Sequence, residues 1–382
     1  MVNITRRQFA ASASVASVVL GGAAGLGLSA CTQESEAPSH DAAVAQTWRV
    51  DGLMGRHAAT PFLDIGQELV RCATLAPNSH NTQAWKFAVA DHAITILPDL
   101  SRRCPAVDPD DHHLFVSLGC ALENLTHAAL AHGLRAEARF VAATEPSRDA
   151  IQVALSDTTA QKSALFQAIA TRQCTRGDYD GKALSNEELA QLERAGSSAK
   201  VRMLLLTERP AMERVLEYVV QGNTAQMADP AFVKELKTWI RFSATDAVRT
   251  RDGLFSGSSG NPVGPTWLGE LAFGWVFKPK GENDKYARQI RSSAGMAVFV
   301  GDAADKSHWI EVGRCYERFA LQATALGIRN AFLNQPVEVA SVRSPFGQSL
   351  GLSDRRPDLV VRFGRGPTLP PSLRRPVRAV LA

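Results

Sequence analysis

Between Ala76 and Phe87 the chain sets Ser79, Asn81, Gln83 and Trp85 at alternate positions, directly after Pro77. Hydroxyls and carboxamides donate and accept hydrogen bonds at once, which suits a neutral heteroaromatic ligand better than a metal ion. A second chemistry-bearing group follows about a hundred residues later, in Arg172-Gln173-Cys174-Thr175-Arg176. Read as a helix end, Arg172 and Arg176 share a face and can grip a phosphate together; read as isolated arginines, they are a solvated basic surface. Arg374-Arg375-Pro376 forms a third cationic group near the C-terminus, and like charges meet cheaply only around an anion. No compelling Ser/His/Asp set is present. The pair His112-His113 beside Asp110 and Asp111 reads more simply as a polar loop than as a metal site.

These groups need elements to position them. A helix is expected over Phe62–Ala76, with Leu63, Leu69, Cys72, Ala73 and Ala76 as its apolar stripe. Gly119, Glu123, Ala129, Ala131 and Gly133 recur 194 positions on as Gly313, Glu317, Ala323, Ala325 and Gly327. Helical stripes run through both copies: Leu118, Leu122, Leu125 and Ala129, then Val312, Tyr316, Phe319 and Ala323. Strand-like segments flank each copy, at 87–96 and 137–142 for the first and 297–300 and 330–333 for the second. Two readings stand: a duplication, whose two-fold seam is a natural cleft for a ligand, or two similar amphipathic helices. Ser185 and Glu188 make a capping box, so a helix starts there. Residues 223–290 break the repeat with a glycine-rich loop followed by Trp267, Phe273, Trp275 and Phe277. That composition fits a mobile cover over a pocket or an insertion with a small core of its own.

Near the N-terminus, Arg6-Arg7-Gln8-Phe9 precedes an uncharged Ala/Ser/Val/Leu/Gly run that ends in Leu28-Ser29-Ala30-Cys31. Twin arginines, a weakly apolar core and small residues before the cut mark a twin-arginine export signal over 1–30, the plainer alternative being an ordinary N-terminal anchor. The ending resembles a lipobox, with Cys31 as the lipidated residue, and implies a chain anchored at the cell envelope. Residues 31–60 read as a tether. The 382 residues carry a net charge of +4, which falls to +2 without 1–30 because only Arg6 and Arg7 are lost. That balance argues against a nucleic-acid binder. With Cys31 acylated, five cysteines remain, in no close C-x-x-C pair, which excludes a zinc ribbon or dithiol motif.

Taken together, Ala76–Phe87, the Arg-x-Cys-x-Arg run and the terminal Arg-Arg-Pro resemble the nitroreductase-like flavoproteins. The resemblance is to their tandem-repeat, Acg-like branch and covers about residues 62–380. It implies an α+β fold with a central, mostly antiparallel sheet flanked by helices. The halves, 61–165 and 166–382, would form an internal pseudo-dimer in one monomer, with FMN at the seam. Carried over by position, Arg172, Gln173, Cys174 and Arg176 would face the FMN phosphate and ribityl chain. Arg374 or Arg375 would close on the phosphate, and Ser79, Asn81 and Gln83 would reach across from the first half. Backbone at Asn334 and Gln335 would lie by the isoalloxazine, under a lid at about 223–290. Three departures from the pattern are Ala84, where a proline is usual, Gln173, where a second arginine is usual, and Cys174, where a small polar residue is usual. The implied activity is FMN-dependent reduction of a small quinone- or nitroaromatic-like acceptor. The alternative is an FMN-sequestering or redox-sensing protein with little turnover. Export separates the chain from cytoplasmic NAD(P)H, so a membrane quinol or a protein partner is the expected electron donor.

Overall fold

The computed structural model describes residues 38–49 and 61–382. Its strands follow the alternation of apolar residues. In β1 (Trp85–Ala90) Trp85 and Phe87 are buried and Lys86 is exposed; in β2 (Ala93–Pro98) Ile94 and Ile96 point inward. The stretch 87–96, expected as one strand, is therefore a hairpin turning at Asp91-His92. His92 adopts φ 51° there, a turn without the glycine or asparagine that would have signalled it. With β3 (Leu134–Val141) and β4 (Ala150–Asp157), these strands form an antiparallel sheet in the order β1-β2-β4-β3.

The second sheet repeats that order. It begins with β5 (Val201–Leu206). The two-residue strands β6 (Ile240–Arg241) and β7 (Leu254–Phe255) pair only with each other. Then β8 (Gly295–Gly301), β9 (Arg329–Phe332) and β10 (Leu359–Gly364) complete an antiparallel sheet in the order β5-β8-β10-β9. Helix His112–Ala131 joins β2 to β3, and helix Lys306–Ala325 joins β8 to β9; their first and last residues lie 194 positions apart. Both predicted stripes are buried, and Gly133 and Gly327 leave the two helices at φ 74° and 71°, the left-handed conformation that ends a helix without steric penalty.

These helices pack on each other in the middle of the molecule. A Cβ on Gly119 would lie 2.0 Å from the Ile310 carbonyl oxygen, and one on Gly313 would lie 2.0 Å from that of Val116. The two contacts exchange under the same 194-residue shift. One apolar core runs through both sheets, from Trp85, Phe87 and Leu118 to Phe299, Tyr316 and Phe363. Among the described residues only His112–Ala131 is long and apolar enough to cross a membrane, and it is this buried core helix.

Between β5 and β8 lie five helices: Arg209–Ala228, Pro230–Trp239, Ala244–Thr250, Thr266–Val276 and Pro279–Arg291. The boundary expected at 223 falls inside the first of them, whose Met212, Val215 and Val219 belong to a core with Met296 and Phe346. Part of the stretch expected as a tether is ordered. His40–Thr47 is helical, with Ala43 buried, the His40 ring 4.5 Å from that of Phe255, and Trp48 Nε1 donating to the Ser372 carbonyl at 3.0 Å. Residues 1–30 and Cys31 lie outside the described residues.

Candidate functional site

The turn after helix Phe62–Thr74 is conformationally unusual. His80, Asn81 and Gln83 have φ 47°, 53° and 55°, a left-handed run that non-glycine residues adopt only when their surroundings hold it. The carboxamides do the holding. Asn81 Nδ2 donates to the carbonyls of Gly253 (3.0 Å) and Leu373 (3.1 Å), and Gly253 N returns a bond to Asn81 O at 3.1 Å. Gln83 Nε2 donates to Arg251 O at 2.9 Å, and its Oε1 accepts from Arg375 N at 2.8 Å. Asn78 Oδ1 accepts from Gln83 N at 2.8 Å. Asn81 and Gln83, expected to reach a ligand, instead pin the Arg251–Gly253 and Leu373–Arg375 segments to this turn.

That pinning leaves Pro77, Asn78, Ser79 and His80 on the wall of a cavity of about 420 Å³. His113, Val116, Ser117 and Cys120 of the first central helix form another wall. Phe332, Asn334, Gln335 and Glu338 form the floor after β9, and Phe242, Phe273, Phe277 and Tyr286 come from the insertion. Of the expected arginines, Arg176 alone lines it; Lys285 is the other cation there.

The remaining arginines are held elsewhere. Residues 172–176 are not helical, because the preceding helix ends at Ala168 and Thr175 N bonds the Asn330 carbonyl at 2.9 Å beside β9. Arg172 and Arg176 therefore do not share a helix face. Arg172 is buried, donates from Nη2 to Leu75 O, and sets Nε 3.4 Å from Glu317 Oε1. Arg374 donates to Thr74 O (2.8 Å), Leu75 O (3.3 Å) and Ala76 O (3.2 Å). Both guanidinium groups thus cap the carbonyl end of helix Phe62–Thr74, where free carbonyls and the helix dipole favour cations. Burial pushes Arg374 down to about 9, with Arg172 as the next cause. Arg374 and Arg375 border a separate hollow of about 320 Å³ with Arg49, Glu68 and Arg251. Gln173 and Cys174 are absent from the cavity wall, and Cys174 Sγ lies 3.9 Å from the Tyr316 hydroxyl. The expected cradle of Arg172, Arg176 and Arg374 or Arg375 is not assembled around this cavity. Helix-end carbonyls and Glu317 claim two of its members first.

On the floor, Asn334 Oδ1 accepts from Val360 N at 3.0 Å, while Gln335 Oε1 is buried with no protein partner. An unpaired buried acceptor on a cavity wall calls for a ligand donor.

Sequence reasoning missed the titratable groups. The expected polar loop at His112-His113 is instead the buried first turn of the central helix, where His112 Nε2 lies 2.9 Å from Asp358 Oδ1. His113 Nε2 lies 3.2 Å from Asp358 O, and its Nδ1 lies 3.8 Å from Glu338 Oε1. Gln226 Nε2 donates to Glu338 Oε2 at 2.6 Å, and burial pushes the Glu338 carboxyl up. Burial and then Arg176 push His80 down to about 4, so its imidazole is neutral at pH 7. His80 Nδ1 lies 3.6 Å from Cys104 Sγ, while the nearby Glu235 carboxylate accepts from Ala106 N and Val107 N. His80 sat inside the motif quoted above, and Glu338 follows Gln335 by three. No pattern in the sequence pointed to Gln226.

A neutral imidazole, a raised carboxyl, carboxamides and aromatic rings beside the cations Arg176 and Lys285 fit an uncharged ring system with an anionic tail. No protein-family model matches the chain. It is 22% identical over 330 residues to "Putative NAD(P)H nitroreductase Rv3131" of Mycobacterium tuberculosis, covering 84% of this chain and 92% of that one. It is also 22% identical over 326 residues to "Putative NAD(P)H nitroreductase acg" of the same organism, covering 83% and 95%. The chain is similar to nitroreductase-like proteins. Among solved structures, a nitroreductase with bound FMN from Desulfitobacterium hafniense DCB-2 aligns at 14% identity and a TM-score of 0.36, over 56% of this chain and 96% of that one. The FMN-dependent nitroreductase NfnB of Mycobacterium smegmatis, in complex with NADPH, aligns at 13% identity and a TM-score of 0.34, over 53% and 87%. The sequence likeness to the two mycobacterial proteins covers more than four-fifths of the chain, so it concerns more than one motif.

Proposed function

We propose that this chain is an FMN-dependent oxidoreductase of the nitroreductase type that reduces a small quinone- or nitroaromatic-like acceptor. The observation that carries the reading is a single one. The Pro77–His80 turn, Arg176 and the Asn334–Glu338 floor, which are far apart in sequence, line one cavity in a chain whose relatives bear the name nitroreductase. The residues present fit the cofactor. Phe242, Phe273 and Phe332 offer apolar faces to a flat ring, Gln335 offers an unpaired acceptor at its edge, and Arg176 with Lys285 offers charge for a phosphate.

When bound, the flavin would supply the electron transfer. The chain's own residues would do the rest. The held turn presents Ser79 and the Asn78 carboxamide to the ligand. The insertion's aromatic side chains exclude water from the slot. Glu338, whose carboxyl burial pushes up, lies 3.8 Å from His113 Nδ1 and is placed to pass a proton to a reduced acceptor. Removing the Glu338 carboxyl should slow turnover without releasing the flavin.

The insertion supplies most of the cavity's aromatic wall, and that feature favours a second reading, a flavin-sequestering or redox-sensing protein with a closed slot. One experiment separates the two. The protein is purified, its visible spectrum is recorded, the released chromophore is identified, and the reduced protein is mixed with a nitroaromatic. Rapid reoxidation supports the enzyme; a yellow protein that does not cycle supports the second reading; a colourless protein removes both. The same preparation distinguishes donors: reduction by NAD(P)H, the donor in the relatives' names, against reduction by a membrane quinol.

The shared strand order and the 194-residue shift support an internal duplication, whose halves would meet along the two central helices. Export by the twin-arginine route and acylation of Cys31 complete the proposal. Mass spectrometry of the mature N-terminus tests them, and an unprocessed Met1 or an unmodified Cys31 would remove the envelope assignment.

A further inference from the structure

The helix that walls the cavity has a second, unpartnered face. Six large apolar side chains are exposed among the described residues, and five of them fall within 263–275: Val263 (49%), Trp267 (68%), Leu268 (46%), Leu271 (67%) and Trp275 (84%). Trp267, Leu271 and Trp275 repeat every four residues and so share one face of helix Thr266–Val276. The inner face belongs to the site: Gly269, Ala272 and Phe273 line the cavity, and a Cβ on Gly269 would lie 2.4 Å from the Phe242 ring. A contiguous apolar strip on an otherwise polar surface marks a place where something binds.

We propose that this strip seats the protein on a lipid bilayer, with the helix lying in the headgroup interface. Three observations favour a bilayer over another occupant. First, two of the five residues are tryptophans, one near each end, the residue type that settles at the boundary between headgroups and acyl chains. Second, the charge is right: between 263 and 281 the only acid is Glu270, and exposed Lys278 and Lys280 follow the helix directly. That is the arrangement of a helix lying flat against anionic lipid. At 11 residues it is too short to span. Third, the first described residues pack against the insertion that carries the strip. Helix His40–Thr47 rests on the insertion through the His40–Phe255 ring contact. Within the insertion, Asp246 bonds the hydroxyl of Thr266, the first residue of the tryptophan helix. Six residues separate Cys31 from Pro38, so the seven backbone steps reach at most about 25 Å. Acylation at Cys31 would hold the domain close to the bilayer, and the tryptophan face would fix its orientation. The cavity then lies directly behind the docked helix, a position suited to an apolar substrate drawn from the membrane.

The test uses the full chain reconstituted in vesicles of phosphatidylcholine and phosphatidylglycerol, with and without bromine on the acyl chains. Brominated lipid quenches tryptophans that enter the interface. The wild-type chain should lose a substantial part of its emission. Trp267→Phe/Trp275→Phe should lose less than half of that, because Trp85 and Trp309 are buried in the fold. Because quenching reports on depth rather than attachment, an N-terminal anchor alone does not produce this difference. Both substitutions are at exposed positions and leave the core intact. Equal quenching in wild type and variant overturns the proposal. So does a concentration-dependent dimer in vesicle-free solution that Leu271→Glu abolishes, since the strip would then belong to a second copy.

Discussion

Replacing Gly119 by alanine should destabilise the protein, although every intrinsic preference of a helix says otherwise. In an exposed helix the change gains about 1 kcal/mol. Here the new Cβ would fall 2.0 Å from the Ile310 carbonyl oxygen, and contacts under 3.0 Å are essentially never seen. That oxygen is backbone and cannot rotate away, so helices His112–Ala131 and Lys306–Ala325 must part by roughly 1 Å. A gap of that size forfeits a quarter to a half of each dispersion contact along the seam, and overpacking of this kind typically costs about 1–3 kcal/mol. After the propensity gain, a net loss of about 1 kcal/mol is expected. Gly313→Ala meets the Val116 carbonyl oxygen at the same 2.0 Å and should lose a similar amount. The double variant should lose less than the sum, because the first separation already makes room for the second. Urea denaturation followed by far-UV circular dichroism measures all three. Gly281→Ala serves as the control, since its Cβ would meet nothing within 4 Å, and it should be neutral or slightly stabilising. A Gly119→Ala variant with a midpoint at or above wild type would refute the close approach of the two helices.

Other perturbations follow from the site. Arg176→Ala should weaken flavin retention by tenfold or more, read as flavin absorbance lost on gel filtration, with the urea midpoint unchanged. Glu317→Gln should destabilise the fold by about 3 kcal/mol in urea titrations above pH 8, where Glu317 is ionised, because it leaves the buried Arg172 guanidinium without its carboxylate. His80 titrates near 4 in the fold and near 6.5 unfolded, so between those values the unfolded chain binds more protons. Its contribution, on the order of 3 kcal/mol, is complete above pH 6.5 and lost as pH falls to 4. Glu317, pushed up to about 7, and Asp358, pushed up to about 6, act in the opposite direction. The His80 effect is therefore read as the difference between wild-type and His80→Gln stability curves across pH 4–7, and a flat difference would contradict the assignment. Glu338→Gln should slow reoxidation of the reduced protein by nitroaromatics by about 10²-fold, measured by stopped flow, with flavin content unchanged.

The sequence by itself determined the local elements and their repetition. Helical spacing placed the buried stripes on the two central helices, the glycines at 133 and 327 marked their ends, and Ser185 with Glu188 closed the capping box that the structure contains. Each of these depends on contacts within a few residues, and local chemistry encodes those directly. The β-hairpin at Asp91-His92 was misread because its turn carries no glycine. Which polar residues line the cavity was decided only by the tertiary structure. Asn81 and Gln83 were quoted as ligand-facing on their chemistry, yet backbone carbonyls and an amide from 251–253 and 373–375 reach them and take up their hydrogen bonds. Arg172 and Arg374 were expected at an anion, yet the free carbonyls at the end of Phe62–Thr74 lie closer. Gln226, His113 and Glu338 come together from three segments with no shared spacing. A side chain's type fixes what it can bond, but its partner is whichever complementary group the fold brings within 3 Å, and that depends on long-range packing that no local pattern records.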